Sequence, residues 1–130
     1  MQSNLAVTYC KLGQPEKSLQ FERDAYSARL KLHGKEHERT LQAAINCASS
    51  LSELQRFKEA RSLLRKLIPV AQRVLGETNQ ITLKMRWGYA GALYADPAAT
   101  LDDLREAVAT LEDAERTARR VFGGAHPIVM

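Results

Sequence analysis

The chain has 130 residues, enough for one compact domain or a few short structural repeats that bury a core without disulfide or metal staples, so folding calls for no cofactor. Ala, Leu, Arg, Glu, Lys and Gln dominate over β-branched and aromatic residues, which favours an all-α fold. Lys and Arg number 19 against 15 Asp and Glu, but the signs are interleaved; a nucleic-acid surface would show a basic stripe, and no apolar run reaches the roughly 18 residues of a membrane span.

In chain order, Asn4-Leu5-Ala6 falls within a first helix, and Gly13-Gln14-Pro15 forms a turn in which Pro15 suits the first turn of the next helix. That second helix ends near His33-Gly34. Leu41, Ala44, Ile45, Ala48 and Leu51 then step by three and four, placing one apolar stripe on a helix that breaks at Leu54-Gln55-Arg56. Phe57, Ala60, Leu63, Leu64, Leu67, Ala71, Val74 and Leu75 carry the following helix to Gly76, where φ > 0 is available for a C-cap. Pro69 lies inside this helix and is expected to kink it or cost it a hydrogen bond. A further helix runs from about Asn79 to Ala95, breaks at Asp96-Pro97, and gives way to a long helix ending at Phe122 before Gly123-Gly124.

These elements repeat. Asn4 recurs as Asn46, Ala6 as Ala48 and Ala90, Leu12 as Leu54, Gly34 as Gly76, Thr40 as Thr82, and Leu41 as Leu83, each step being 42 residues. Gly76 to Gly123 is 47, as is Glu59-Ala60 to Glu106-Ala107, so about five residues are inserted within Asp96–Asp103. Units of about 1–36, 37–78 and 79–125 follow, with 126–130 opening a truncated further unit. A single helix pair cannot bury both its apolar faces, so the pairs are expected to stack into a solenoid whose open ends are covered by a neighbour or an atypical cap.

The phrase Thr40-Leu41, Asn46-Cys47-Ala48, Leu51, Phe57-Lys58-Glu59-Ala60, Leu64 and Leu75-Gly76-Glu77, with the turn Gly123-Gly124-Ala125-His126-Pro127, resembles tetratricopeptide repeats of the 42-residue, kinesin-light-chain-like type. Departures are His37-Glu38 and Asn79-Gln80 in place of His-Pro, the enlarged loop of unit three, and Gly88 where other units have Asn4 and Asn46. The resemblance implies a right-handed α-solenoid of stacked antiparallel helix pairs, with a concave groove lined by the first helix of each pair. Carried over by position, the peptide-binding residues are Asn4, Val7 and Lys11 from unit one. From unit two come Gln42, Ile45, Asn46, Ser49, Ser52 and Glu53, and from unit three Lys84, Trp87, Gly91 and Tyr94. In the family the position of Asn4 and Asn46 can hold a peptide backbone, and an amide both donates and accepts.

Trp87 and Tyr94, seven apart on one helix face, offer aromatic anchors, with core packing of Trp87 as the alternative. Gly88 and Gly91 each cost a helix about 1 kcal/mol, which points to close approach of another helix, or else of a ligand backbone. Arg65, Lys66, Arg73, Arg116, Arg119 and Arg120 read as a solvated convex face. His33, His37 and His126 recur at the repeat junctions as turn-capping residues rather than metal ligands, and Cys10 and Cys47 read as buried, reduced thiols. No nucleophile elbow, phosphate loop or paired-carboxylate arrangement is present. The expectation is a non-enzymatic cytoplasmic scaffold or adaptor that holds a partner peptide, acidic with apolar anchors, in its groove. The alternatives are a self-association module or a regulatory domain of a larger enzyme or signalling protein.

Overall fold

The computed structural model describes residues 15–122, which form five helices: α1 (Pro15–His33), α2 (Glu38–Glu53), α3 (Phe57–Leu75), α4 (Gln80–Ala95) and α5 (Leu101–Phe122). Among the described residues there is no strand, and no helix is long and apolar enough to cross a membrane. The expected first helix around Asn4, the thiol of Cys10 and the junction at Gly123–Ile128 lie outside the described residues.

The glycines end the helices for the expected reason. Gly34 has φ 81 and its N–H donates to the Leu30 carbonyl at 2.9 Å, while Gly76 has φ 91 and donates to the Ala71 and Gln72 carbonyls, each at 3.2 Å. The α2–α3 turn does the same work without glycine: Gln55 takes φ 61, and the Arg56 N–H reaches back to the Leu51 carbonyl at 2.9 Å. Two departures from the His-Pro pattern keep its capping function. His37 Nδ1 accepts from the Arg39 N–H at 3.0 Å, and 42 residues later Asn79 Oδ1 accepts from the Ile81 N–H at 2.8 Å. The repeated threonine also has a physical role. Thr40 donates its hydroxyl to the Arg29 carbonyl and Thr82 to the Ala71 carbonyl, tying the start of each first helix to the end of the helix before it.

Pro69 does not break α3, which runs unbroken from Phe57 to Leu75. Arg65 and Pro69 are both exposed, so the carbonyl deprived of its donor can turn to water. The five-residue insertion divides in two. By the offset of 47, Phe57 corresponds to Leu104, yet α5 begins three residues earlier, and the α4–α5 loop of five residues is two longer than the α2–α3 turn. The added turn is capped by Thr100 and Asp103, whose side chains each accept the other's backbone N–H, at 3.1 and 3.0 Å.

Each helix packs on the next, and α2 also packs on α4, whereas the backbones of α1, α3 and α5 do not approach one another. First helices that touch and second helices that stand apart make a curved stack, concave over α2 and α4. Leu41, Ala48, Leu51, Leu64, Leu67, Met85, Ala90 and Leu93 form the shared core, and small residues such as Ala44, Ala60, Ala71 and Ala107 let the helices close on it. Full burial stabilises each leucine by roughly 2 kcal/mol.

Candidate functional site

The concave face carries a cavity of about 510 Å³ between α2 and α4, floored by Leu64 and Phe57 of α3. Ile45, Ser49, Ser52 and Glu53 form one wall, and Lys84, Gly91 and Tyr94 the other. These are seven of the positions carried over from the repeat pattern. Their convergence follows from spacing: 45, 49 and 52 share one stripe of α2, and Lys84, Gly91 and Tyr94 stand 42 residues after Gln42, Ser49 and Ser52. The walls are mostly apolar at the bottom, where Ala48 and Ala92 are buried, and polar at the rim, where Ser49, Glu53 and Lys84 are exposed. Tyr94 is 57% exposed, so more than half of its surface is available to another molecule.

Gln42 and Asn46 lie on α2 but do not line this cavity. Both are half-buried, and Gln42 Nε2 donates to Asn46 Oδ1 at 3.3 Å, which leaves the Asn46 amide hydrogens to donate elsewhere. Trp87 is also outside the cavity; half-buried, it packs against Leu83, Ala114 and Ala118, where the two alanines leave room for the indole beside α5. Asn4, Val7 and Lys11 lie outside the described residues.

The glycines separate. A Cβ on Gly88 would meet Leu64 Cδ1 at 3.3 Å, which matches the expected close packing, but a Cβ on Gly91 would meet nothing within 4 Å. Close helix approach therefore accounts for Gly88 and not for Gly91, whose missing side chain simply widens the groove. Gly88 and Phe57 are not among the positions carried over, yet both line the cavity. Gly88 stands 42 residues after Asn46, so the amide of unit two has no counterpart on the opposite wall.

On the convex side the charges are organised rather than merely solvated. Arg23 lies 3.7 Å from Glu59, and one repeat on, Arg65 lies 3.6 Å from Glu106. The hydroxyl of Tyr89 sits between the latter pair, accepting from Arg65 Nε at 3.0 Å and donating to Glu106; burial and the Glu106 hydrogen bond hold its pKa above the usual tyrosine value. Arg86, almost wholly buried, pairs with Asp113 and, at 3.4 Å, with Glu77. Glu22 is a buried carboxyl that its charge alone would place at the surface. One of its oxygens has no hydrogen-bond partner, and burial raises its pKa. The repeat carries a signal for it, because 42 residues later the same place is held by Leu64. Among the described residues no group of His, Cys, Asp and Glu could hold a metal ion.

No curated protein sequence matches the chain significantly. In fold it is similar to the crystal structure of BtubC (BKLC) from P. vanneervenii, a kinesin light chain-like tetratricopeptide protein, with a TM-score of 0.78 and 18% sequence identity. The match covers 96% of this chain and 47% of that one, so this chain spans less than half the length of that protein. A family model described as Tetratricopeptide repeat matches residues 1–73, more than half of the 130. With the 42-residue recurrence and stacked helix pairs in agreement with that match, the chain belongs to the tetratricopeptide repeat family, whose repeats generally serve as non-catalytic scaffolds for protein–protein interaction.

Proposed function

We propose that this chain is a scaffold or adaptor that holds an extended peptide of a protein partner in the groove between α2 and α4. The observation that carries this reading is the cavity of about 510 Å³, apolar at its floor and polar at its rim. A peptide crossing it would set an apolar side chain over Leu64 and Phe57, against the ring of Tyr94. Lys84 would attract an acidic side chain, and Asn46 would donate to a main-chain carbonyl at the end of the groove. Trp87, on the α5 side, would serve as an anchor only for a ligand extending past α4. The repeat units are taken as about 1–36, 37–78 and 79–125, and a cytoplasmic setting fits the free, buried thiol of Cys47.

The test is a titration with a library of acidic peptides bearing one large apolar residue, read by amide chemical shifts. Saturable shifts at Ser49, Gly91 and Tyr94, weakened by Lys84→Glu and by Tyr94→Ala, are expected. Shifts indifferent to both substitutions would refute groove binding.

A second reading, self-association, draws on one observation. Leu101, Leu104 and Val108 form an exposed stripe on α5, at 62%, 40% and 55%. Their counterparts by the offset of 47, Leu54 in the α2–α3 turn and Phe57 and Arg61 on α3, are half-buried in the stack. Sedimentation over a range of concentrations separates the readings: a monomer throughout removes self-association.

A further inference from the structure

The convex side carries a second hollow, and the repeat itself shows what fits there. Between α3 and α5 the gap is bridged by Tyr89, which is 5% exposed. The Arg65 guanidinium carbon stands 5.4 Å from its ring centroid, Arg65 Nε donates to its hydroxyl at 3.0 Å, and the hydroxyl donates to Glu106. Between α1 and α3 the same cation and carboxylate recur as Arg23 and Glu59, 3.7 Å apart. The counterpart of Tyr89, however, is Cys47, a far shorter side chain that lies beside Arg23 and carries no ring to fill the gap. What remains is an open hollow of about 480 Å³, with Cys47 and Leu51 at its base, Tyr26 and Leu63 on its sides, and Arg23 and Glu59 at its rim.

We infer that this hollow is a docking site for a tyrosine side chain of a protein partner, seated as Tyr89 is seated one repeat further on. The charges are complementary to a phenol. The hydroxyl donates to Glu59, whose oxygens take Arg56 at 2.7 and 3.0 Å but retain lone pairs, since each carboxylate oxygen accepts more than one hydrogen bond. The ring lies beside the Arg23 guanidinium, an arrangement in which a cation is drawn to the aromatic face. Beneath it, Cys47 offers a neutral, apolar sulfur, because burial pushes the thiol up from its ordinary value. A phenylalanine would cover the Arg23–Glu59 pair without bonding to it, so the site selects for the hydroxyl. The hollow opens on the convex side of the stack, away from Ser49 and Lys84, and the inference stands independently of groove binding.

The probes are p-cresol, the side chain of tyrosine, and toluene, that of phenylalanine, titrated into the ¹⁵N-labelled chain. Saturable shifts at Cys47, Leu51 and Ser62 are expected, with p-cresol bound about fivefold more tightly than toluene, the worth of one net hydrogen bond. Glu59→Ala, a change at an exposed carboxylate, should abolish that preference while leaving ring binding in place. Cys47→Tyr should fill the hollow and remove binding of both; if that variant does not fold, Glu59→Ala carries the test alone. The inference is overturned if p-cresol produces no saturable shift up to its solubility, if its shifts cluster at Ser49 and Lys84 instead, or if the two probes bind alike to the unsubstituted chain.

Discussion

Gly91→Ala tests whether the groove is widened at the expense of stability. Gly91 lies inside α4 at an ordinary helical φ, and the space beside it is open: a Cβ there meets nothing within 4 Å. Replacing glycine by alanine inside a helix stabilises it by about 1 kcal/mol, since the unfolded chain gives up less freedom on folding. For 130 residues at about 2.1 cal/mol/K each, that raises the melting midpoint by about 4 °C. Gly88→Ala is the internal control. Its Cβ would press on Leu64 Cδ1 at 3.3 Å, and Leu64 is 2% exposed, so the same helix gain is offset by crowding and the rise should be smaller. Thermal unfolding followed by circular dichroism decides. A lower midpoint for Gly91→Ala, or a larger gain for Gly88→Ala than for Gly91→Ala, would refute the reasoning.

Thr82→Val keeps the shape but removes the hydroxyl that donates to the Ala71 carbonyl, which still accepts from the Gly76 N–H, so the loss should be one net hydrogen bond, about 1 kcal/mol by urea denaturation. Thr40→Val, one repeat earlier, should cost a similar amount, and the double substitution should be additive within error. Glu22→Leu, which places the residue of the next repeat at that site, should stabilise by about 1–3 kcal/mol at pH 7 by removing a buried carboxyl with one unpartnered oxygen. Because the folded pKa of Glu22 is raised, its contribution is fully present below the unfolded value of about 4.3 and lost as pH rises through the folded value. The unsubstituted chain should thus lose stability over that interval and Glu22→Leu should not; equal pH profiles would contradict this. Asp113 behaves oppositely. Its hydrogen bond from Arg86 holds its carboxyl below the usual range, so the stability it brings is present above about pH 3.9 and lost as pH falls through the lower folded value. Asp113→Asn should therefore flatten the acid limb of the stability curve, and an unchanged limb would count against the pairing.

What was legible in the sequence was whatever a residue imposes on its own stretch of chain. Gly34 and Gly76 stop their helices because φ > 0 is needed there, and the apolar stripes of α2 and α3 follow from their period. The 42-residue recurrence located the turns even where the chemistry changed, as at His37 and Asn79, since either side chain can accept the first helical N–H. The insertion in unit three lies where the offset of 47 puts it, but its division into one extra helical turn and two loop residues depends on the Thr100–Asp103 cap, a detail that the offset does not reveal.

What was not legible depends on which neighbour a side chain meets. Ile45 and Trp87 hold the same repeat position, yet Ile45 faces the cavity between α2 and α4 while Trp87 settles against Ala114 and Ala118 of α5. Periodicity along one helix gives the direction of a side chain about that helix, not the identity of the residues opposite. The same limit explains Arg65, which reads as one more convex-face cation until Tyr89, 24 residues away, is brought beneath it. It explains Gly91 as well, since a helical glycine signals close approach only if something is there to approach. The repeat recovers part of this lost information, because each unit is a template for the next: a residue that breaks the pattern, such as Glu22 for Leu64 or Cys47 for Tyr89, marks a place where the packing has been changed and a partner or a penalty is to be sought.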